Sequence, residues 1–178
     1  MNRVAAQSPA AAPGSVGWEV RPARQEDATA VAAAVAALVA ELGGSPPARA
    51  AIEREARAHI ADPSLGIVLV AAAPAGADPD AAASPELVGA LTASWARAIQ
   101  VAGRLLTIEV LWTRREWRDR GVGATLVEAL AAAAAAEGAG RVEVGLPRES
   151  FAALRATERF YLANGFERLG PRMRRVVP

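Results

Sequence analysis

Leu111-Trp112-Thr113-Arg114-Arg115-Glu116-Trp117-Arg118-Asp119-Arg120-Gly121-Val122-Gly123-Ala124 is the stretch on which the reading of this chain turns. It leaves an apolar strand and enters the first turn of a helix, and its two glycines sit where consecutive backbone N–H groups approach a ligand closely. The N–H groups of a first helical turn are free, and the helix dipole adds to their pull on an anion, so such a turn cradles phosphate. Arg118 and Arg120 supply positive charge beside it. Each charge-assisted hydrogen bond contributes on the order of 1.5 to 3 kcal/mol, so several together hold a pyrophosphate. Two other phosphate loops are excluded. There is no Gly-Lys-Ser/Thr, as a nucleoside triphosphate loop requires, and Leu126 stands where the third glycine of a dinucleotide fingerprint would fall.

Upstream, Arg104 to Trp112 alternates as a strand, with Leu105, Thr107, Glu109 and Leu111 on one face and Leu106, Ile108, Val110 and Trp112 on the other. Both faces are largely apolar, which predicts a central strand. Before it, Gly66 to Ala73 and Leu87 to Trp95 read as adjacent strands joined through Pro74 to Pro85. Trp18 to Arg21 reads as a first strand. Glu26 and Asp27 then place negative charge at the start of an alanine and valine helix that ends at Gly43-Gly44. Ser45-Pro46-Pro47 opens a second helix, Ala48 to Ile60, with Ile52, Ala56 and Ile60 sharing a face. Downstream, a helix runs from about Gly121 to Glu137 with Val122, Leu126 and Leu130 in register. A strand from Arg141 to Leu146 and a helix from about Ser150 to Ala163 follow. Asn164-Gly165 forms a left-handed cap, and a last strand runs from Phe166 towards Val177.

At 178 residues the chain suits one domain with a full core and is short for two. Met1 to Gly17 holds only Val4 and Val16 as larger aliphatics and reads as a disordered tail, leaving 18–178 as a single domain. Charges nearly cancel at +1 and are interspersed, so the basic stripe of a nucleic-acid binder is missing. With no cysteine, thiolate metal sites and acyl-cysteine chemistry are excluded. No segment reaches the roughly 18 apolar residues that span a bilayer, which points to a soluble, cytoplasmic protein without a membrane partner.

The turn resembles the signature Arg/Gln-x-x-Gly-x-Gly/Ala of the GNAT N-acetyltransferases, matched here by Arg118, Gly121 and Gly123. A second motif, Phe160-Tyr161-Leu162-Ala163-Asn164-Gly165-Phe166, is similar to that family's Phe-Tyr-x-x-x-Gly-Phe, and the order of elements from about Trp18 to Val177 is the family's as well. The resemblance implies an α/β GNAT fold, a mixed, mostly antiparallel central sheet flanked by about four helices. It implies acetyl-CoA as cosubstrate, with no metal. Cofactor contacts are then expected at Leu111, Trp112 and Thr113 on the strand and at Arg118, Asp119, Arg120, Gly121, Val122, Gly123, Ala124 and Thr125 in the turn and helix start. Tyr161 inherits the place of the tyrosine that approaches the coenzyme A sulfur. The chain departs from the family at Thr113 and Arg115, where Val and Pro are frequent, and at Leu154, where an Asn is frequent.

Acetyl transfer to an amine needs a neutral amine, a stabilised oxyanion and a proton for the departing thiolate. Glu109 is the candidate base, acting through water; backbone N–H groups near Leu111 and Thr113 are candidates for the oxyanion; Tyr161, with a reference pKa of about 10, is the candidate acid. Against these stand ordinary structural readings: a strand carboxylate paired with an arginine, and a core tyrosine. Trp95, Trp112 and Trp117 flank the presumed cleft and either pack in the core or stack on substrate. His59 reads as a helix-end histidine. Glu109-Val110-Leu111-Trp112-Thr113 is similar to a strand of small-molecule and aminoglycoside acetyltransferases, which favours a small-molecule amine acceptor over a protein amine. A non-catalytic acyl-CoA-binding domain is the alternative from another class. The acceptor pocket and the oligomeric state, a homodimer among the options, are not encoded in any motif.

Overall fold

The computed structural model describes residues 17–74 and 86–170. The expected tail up to Val16, most of the connection from Pro74 to Pro85 and the final strand beyond Gly170 lie outside the described residues. Among the described residues, five strands form one sheet in chain order: β1 (Glu19–Pro22), β2 (Gly66–Ala73), β3 (Glu86–Ala98), β4 (Gly103–Thr113) and β5 (Arg141–Val144). The first three pairings are antiparallel and β4 with β5 is parallel. Four helices flank it: α1 (Ala28–Glu41), α2 (Arg49–Ala61), α3 (Val122–Ala136) and α4 (Leu154–Ala163). This is the mixed, mostly antiparallel α/β arrangement that the resemblance implies.

The strands form where apolar runs are covered on both faces. In β2, Val68 and Val70 meet Ala28, Val31 and Ala56 of the first two helices. Its alternate residues Leu69, Ala71 and Ala73 meet Leu91 and Ala93 of β3 together with Val122, Leu126 and Leu130 of α3. Val122, Leu126 and Leu130 are fully buried at 3.6-residue spacing, which seats the start of α3 against the sheet. Asp27 joins β1 to α1: its carboxylate accepts from the Arg21 guanidinium at 2.6 and 3.0 Å and from the Arg24 backbone N–H at 2.7 Å. No helix among the described residues is long and apolar enough to cross a membrane.

The structure differs from the sequence reading in β4, at the start of α4 and after Phe166, and β5 ends at Val144 rather than Leu146. Strict alternation does not run through β4. Thr92 pairs with Val110 and Ala93 with Ile108, so Glu109 is an extra residue without a partner on β3. Ile108 and Leu111 consequently belong to the same core beneath α3, although an odd separation places residues on opposite faces of a regular strand. The last helix begins at Leu154 rather than near Ser150. Two successive turns, Phe151 N–H to Arg148 O and Leu154 N–H to Phe151 O, use up the residues assigned to its first turn. From Phe166 to Gly170 no strand forms.

Candidate active site

A cleft opens where β5 stops. Its ladder with β4 covers only Leu105 to Ile108, paired with Arg141 to Val144, so from Glu109 to Thr113 the edge of β4 away from β3 has no strand beside it among the described residues. Arg114 donates its N–H to Val88 O on β3 at 2.9 Å. Since backbone direction alternates along a strand, the N–H groups of Leu111 and Thr113 face the open side. The space has a volume of about 510 Å³ and is walled by the end of β4, the start of α3, the residues after β5 and one face of α4.

The turn before α3 is shaped by backbone conformation. Asp119 (φ 60) and Gly121 (φ 89) are both left-handed, a region glycine enters without steric cost and aspartate tolerates better than most residues. The first helical bond of α3 is Thr125 N–H to Gly121 O at 3.0 Å. The N–H groups of Val122, Gly123 and Ala124 therefore have no helical partner and point out of the helix start. Gly123 is held close to α4: a Cβ there would lie 3.3 Å from Phe160 Cζ.

Tyr161 is placed by the end of α4. Gly165 is left-handed at φ 81, its N–H bonds Leu162 O at 3.2 Å, and the Phe166 N–H bonds Tyr161 O at 3.1 Å. These two bonds make a Schellman cap, whose accompanying apolar contact joins the residue after the glycine to the helix residue three before the cap. Here that contact is Phe166 against Tyr161, edge-on with centroids 5.2 Å apart, and Phe160 packs edge-on from the other side, also at 5.2 Å. Tyr161 is 7% exposed, and this burial pushes its hydroxyl up to about 12, because a phenolate would lose its hydration there.

The cleft brings Glu109, Leu111, Trp112, Thr113, Arg118, Asp119, Gly121, Val122, Gly123, Ala124 and Tyr161 together. Arg120 and Thr125 do not line it. The Arg120 guanidinium lies 5.1 Å from the centre of the Trp117 ring, and the Thr125 hydroxyl donates to Gly121 O at 3.1 Å. Glu109 is exposed on the cleft wall. Of the tryptophans, Trp112 and Trp117 are in the wall. Trp95 is at the other end of the sheet, bonding Pro63 O through its indole N–H and carrying Arg104 over its ring. His59 reaches Ser94 Oγ at 3.4 Å, away from the cleft.

Sequence reasoning missed Glu41, at the end of α1. It binds Arg118 through two hydrogen bonds of 2.9 and 2.7 Å, and the Arg118 Nε donates to Thr113 O at 3.2 Å. The bond from Arg118 holds the Glu41 carboxyl below its ordinary value. The side chains are 41% and 38% exposed, so the pair contributes only about 0.2 to 1 kcal/mol. Glu41, Trp112 and Arg118 also line a second space of about 590 Å³, shared with Arg114, Arg115 and Glu116, on the α1 side of the strand end. No sequence signal marks Glu41, because the contact spans 77 residues. Phe151 in the wall was equally unmarked.

A family model described as the acetyltransferase (GNAT) family matches residues 45–166. No curated protein sequence matches the chain. Among solved structures, a possible acetyltransferase from Clostridium difficile 630 aligns with a TM-score of 0.71 at 16% identity, covering 91% of this chain and 98% of the other. An aminoglycoside acetyltransferase from an uncultured soil metagenomic sample gives 0.66 at 18% identity, over 92% and 100%. A predicted acetyltransferase from Clostridium acetobutylicum, solved with acetyl-CoA, gives 0.67 at 13% identity, over 89% and 96%. At these identities the likeness is one of fold.

Proposed function

Because the chain belongs to the GNAT acetyltransferase family, we propose that it transfers the acetyl group of acetyl-CoA to a primary amine of a small molecule, by direct attack with both substrates bound. The observation that carries this reading is the open edge of β4. Beyond Ile108 it has no neighbouring strand among the described residues, and its outward N–H groups lie in one cleft with the start of α3 and with Tyr161.

The residues present fit the cosubstrate. The unpartnered N–H groups of Val122, Gly123 and Ala124 suit a pyrophosphate, whose charge the helix dipole also favours. The left-handed Gly121 lets the backbone meet it without a Cβ in the way. Acetyl-CoA supplies an activated acyl carbonyl. As the amine nitrogen bonds to the carbonyl carbon, negative charge grows on the carbonyl oxygen, and the N–H groups of Leu111 and Thr113 stabilise it in place. Glu109 takes the proton the amine loses, through water. The carbon–sulfur bond breaks, the acetyl group stays on nitrogen as an amide, and the sulfur leaves as coenzyme A thiolate, which takes its proton from solvent water.

The phenol at about 12 keeps its proton at any working pH. Full transfer to a thiolate of reference pKa about 8.5 is uphill, so Tyr161 acts on the sulfur chiefly as a hydrogen-bond donor while the bond lengthens. The second space, about 590 Å³, is the size of a small-molecule pocket and supports a small acceptor over a protein one.

The test combines binding and turnover. Acetyl-CoA is expected to raise the melting temperature of the wild-type protein and not of Gly121→Asp, which sets a carboxylate against the pyrophosphate. Thiol release from acetyl-CoA is then followed across a panel of small amines and a lysine peptide. Binding with no thiol release from any amine would leave a binding module and overturn the enzymatic reading.

A further inference from the structure

The Arg118–Glu41 pair joins the turn before α3 to the wall behind it, and the charges around it do not balance once Arg118 is needed elsewhere. Among the described residues lining the cleft, Arg118 is the one cationic side chain, facing the carboxylates of Glu41, Glu109 and Asp119. Held by Glu41 through both terminal nitrogens, it brings no net positive charge to the place proposed for the pyrophosphate. An ion pair so exposed is readily exchanged for a ligand that carries more charge.

On the α1 side, the remaining charges already have partners or cancel. Arg114 is paired with Glu86, and Arg115 and Glu116 carry opposite signs on adjacent residues. Arg115 also acts on Glu41, so when Arg118 departs Glu41 and Glu116 share that one cation and a single net negative charge is left. Glu41 lines, with Trp112, a space walled among the described residues by the end of α1 and the segment 112–118. This side is free of α3, α4 and β5, so an acceptor reaches the end of β4 here without crossing the cosubstrate. A net negative charge in a space that an aromatic ring also lines suits a cation.

We infer that Arg118 exchanges Glu41 for the pyrophosphate, and that the released Glu41 holds a second cationic group of the acceptor, making the substrate class an amine with two or more ammonium groups. This rests on the acetyltransferase reading above. It makes Glu41 a specificity-determining residue and couples the two substrates, because acetyl-CoA uncovers the carboxylate that the acceptor needs.

The experiment compares kcat/KM for straight-chain α,ω-diamines with kcat/KM for the monoamine of equal length, in the full chain and in Glu41→Gln. The wild type is expected to prefer the best diamine by about 10-fold or more. Glu41→Gln should collapse that ratio, mainly through the diamine KM, and should also bind coenzyme A more tightly because Arg118 no longer has a competitor. Calorimetry supplies the second reading: diamine affinity in the wild type should rise about 10-fold when coenzyme A is present, and in Arg118→Gln it should no longer depend on coenzyme A. Turnover of both amine classes with an unchanged ratio in Glu41→Gln overturns the role of Glu41 and leaves the acetyltransferase reading standing. Absence of turnover with every amine overturns both.

Discussion

Phe166 lies edge-on against Tyr161, 5.2 Å between ring centres, because the same cap that ends α4 folds the chain back over the tyrosine. The glycine between them is therefore as important to the site as the rings. Gly165 stands at φ 81 with nothing within 4 Å of where a Cβ would be, so Gly165→Ala is strained by its backbone alone. It is expected to destabilise the protein by about 1 to 2 kcal/mol and to lower kcat by displacing Tyr161, with acetyl-CoA affinity kept. Thermal unfolding and steady-state kinetics read the two effects separately.

Tyr161→Phe removes one hydroxyl and leaves the ring packing intact. Loss of a single positioned donor costs about 100-fold or more in kcat, whereas acetyl-CoA binding should change little. The pH profile adds a sharper check. Burial raises the Tyr161 hydroxyl to about 12, so its proton is present throughout the range in which an ordinary tyrosine, near 10, is lost. The wild-type rate should show no fall between about pH 9 and 10.5 attributable to this group. A descending limb there that disappears in Tyr161→Phe would contradict the assignment.

Gly121 and Gly123 should fail in different ways when each is changed to alanine. At Gly121 a Cβ meets nothing within 4 Å, but φ is +89, so strain of order 1 to 3 kcal/mol loosens the turn. At Gly123 the backbone is helical, and the added methyl presses on Phe160 at 3.3 Å, one ring away from Tyr161. The first variant should weaken acetyl-CoA binding and lower the melting temperature; the second should mainly reduce kcat. Equal effects of both on affinity alone would mean that Phe160 does not transmit the change.

The turn between β4 and α3 was legible because it rests on local chemistry: two glycines, a strand before and a helix after. The Tyr161 motif was legible for the same reason, since a Schellman cap is written in consecutive residues. Three things were not. The extra residue at Glu109 depends on how β4 registers with β3, which no alternation pattern within one strand reveals. Glu41 meets Arg118 only through the packing of α1 beside the end of β4. The start of α4 depends on two tight turns after Pro147 that lack the usual capping residues. Sequence therefore marked the turn before α3 and the end of α4 better than the α1 side of the strand end, whose residues come from elements far apart in the chain.

Glu109 carries the last prediction, and the irregularity in β4 is what makes it specific. As the residue with no partner on β3, it is exposed on the cleft wall close to Leu111, whose N–H faces the open edge. Glu109→Gln keeps the size and much of the hydrogen-bonding shape but removes the proton acceptor, so the acetylation rate of the preferred amine near neutral pH should fall about 100-fold. An alkylamine has a reference pKa of about 10.4, and as pH approaches that value more of it reaches the site already neutral. The variant should then regain rate with rising pH while the wild type gains less, and the two profiles should converge. The measurement is kcat/KM against pH for both proteins with one acceptor at saturating acetyl-CoA. Parallel profiles, offset by a constant factor at every pH, would assign Glu109 to holding the strand irregularity in place and leave the amine to be deprotonated by water alone.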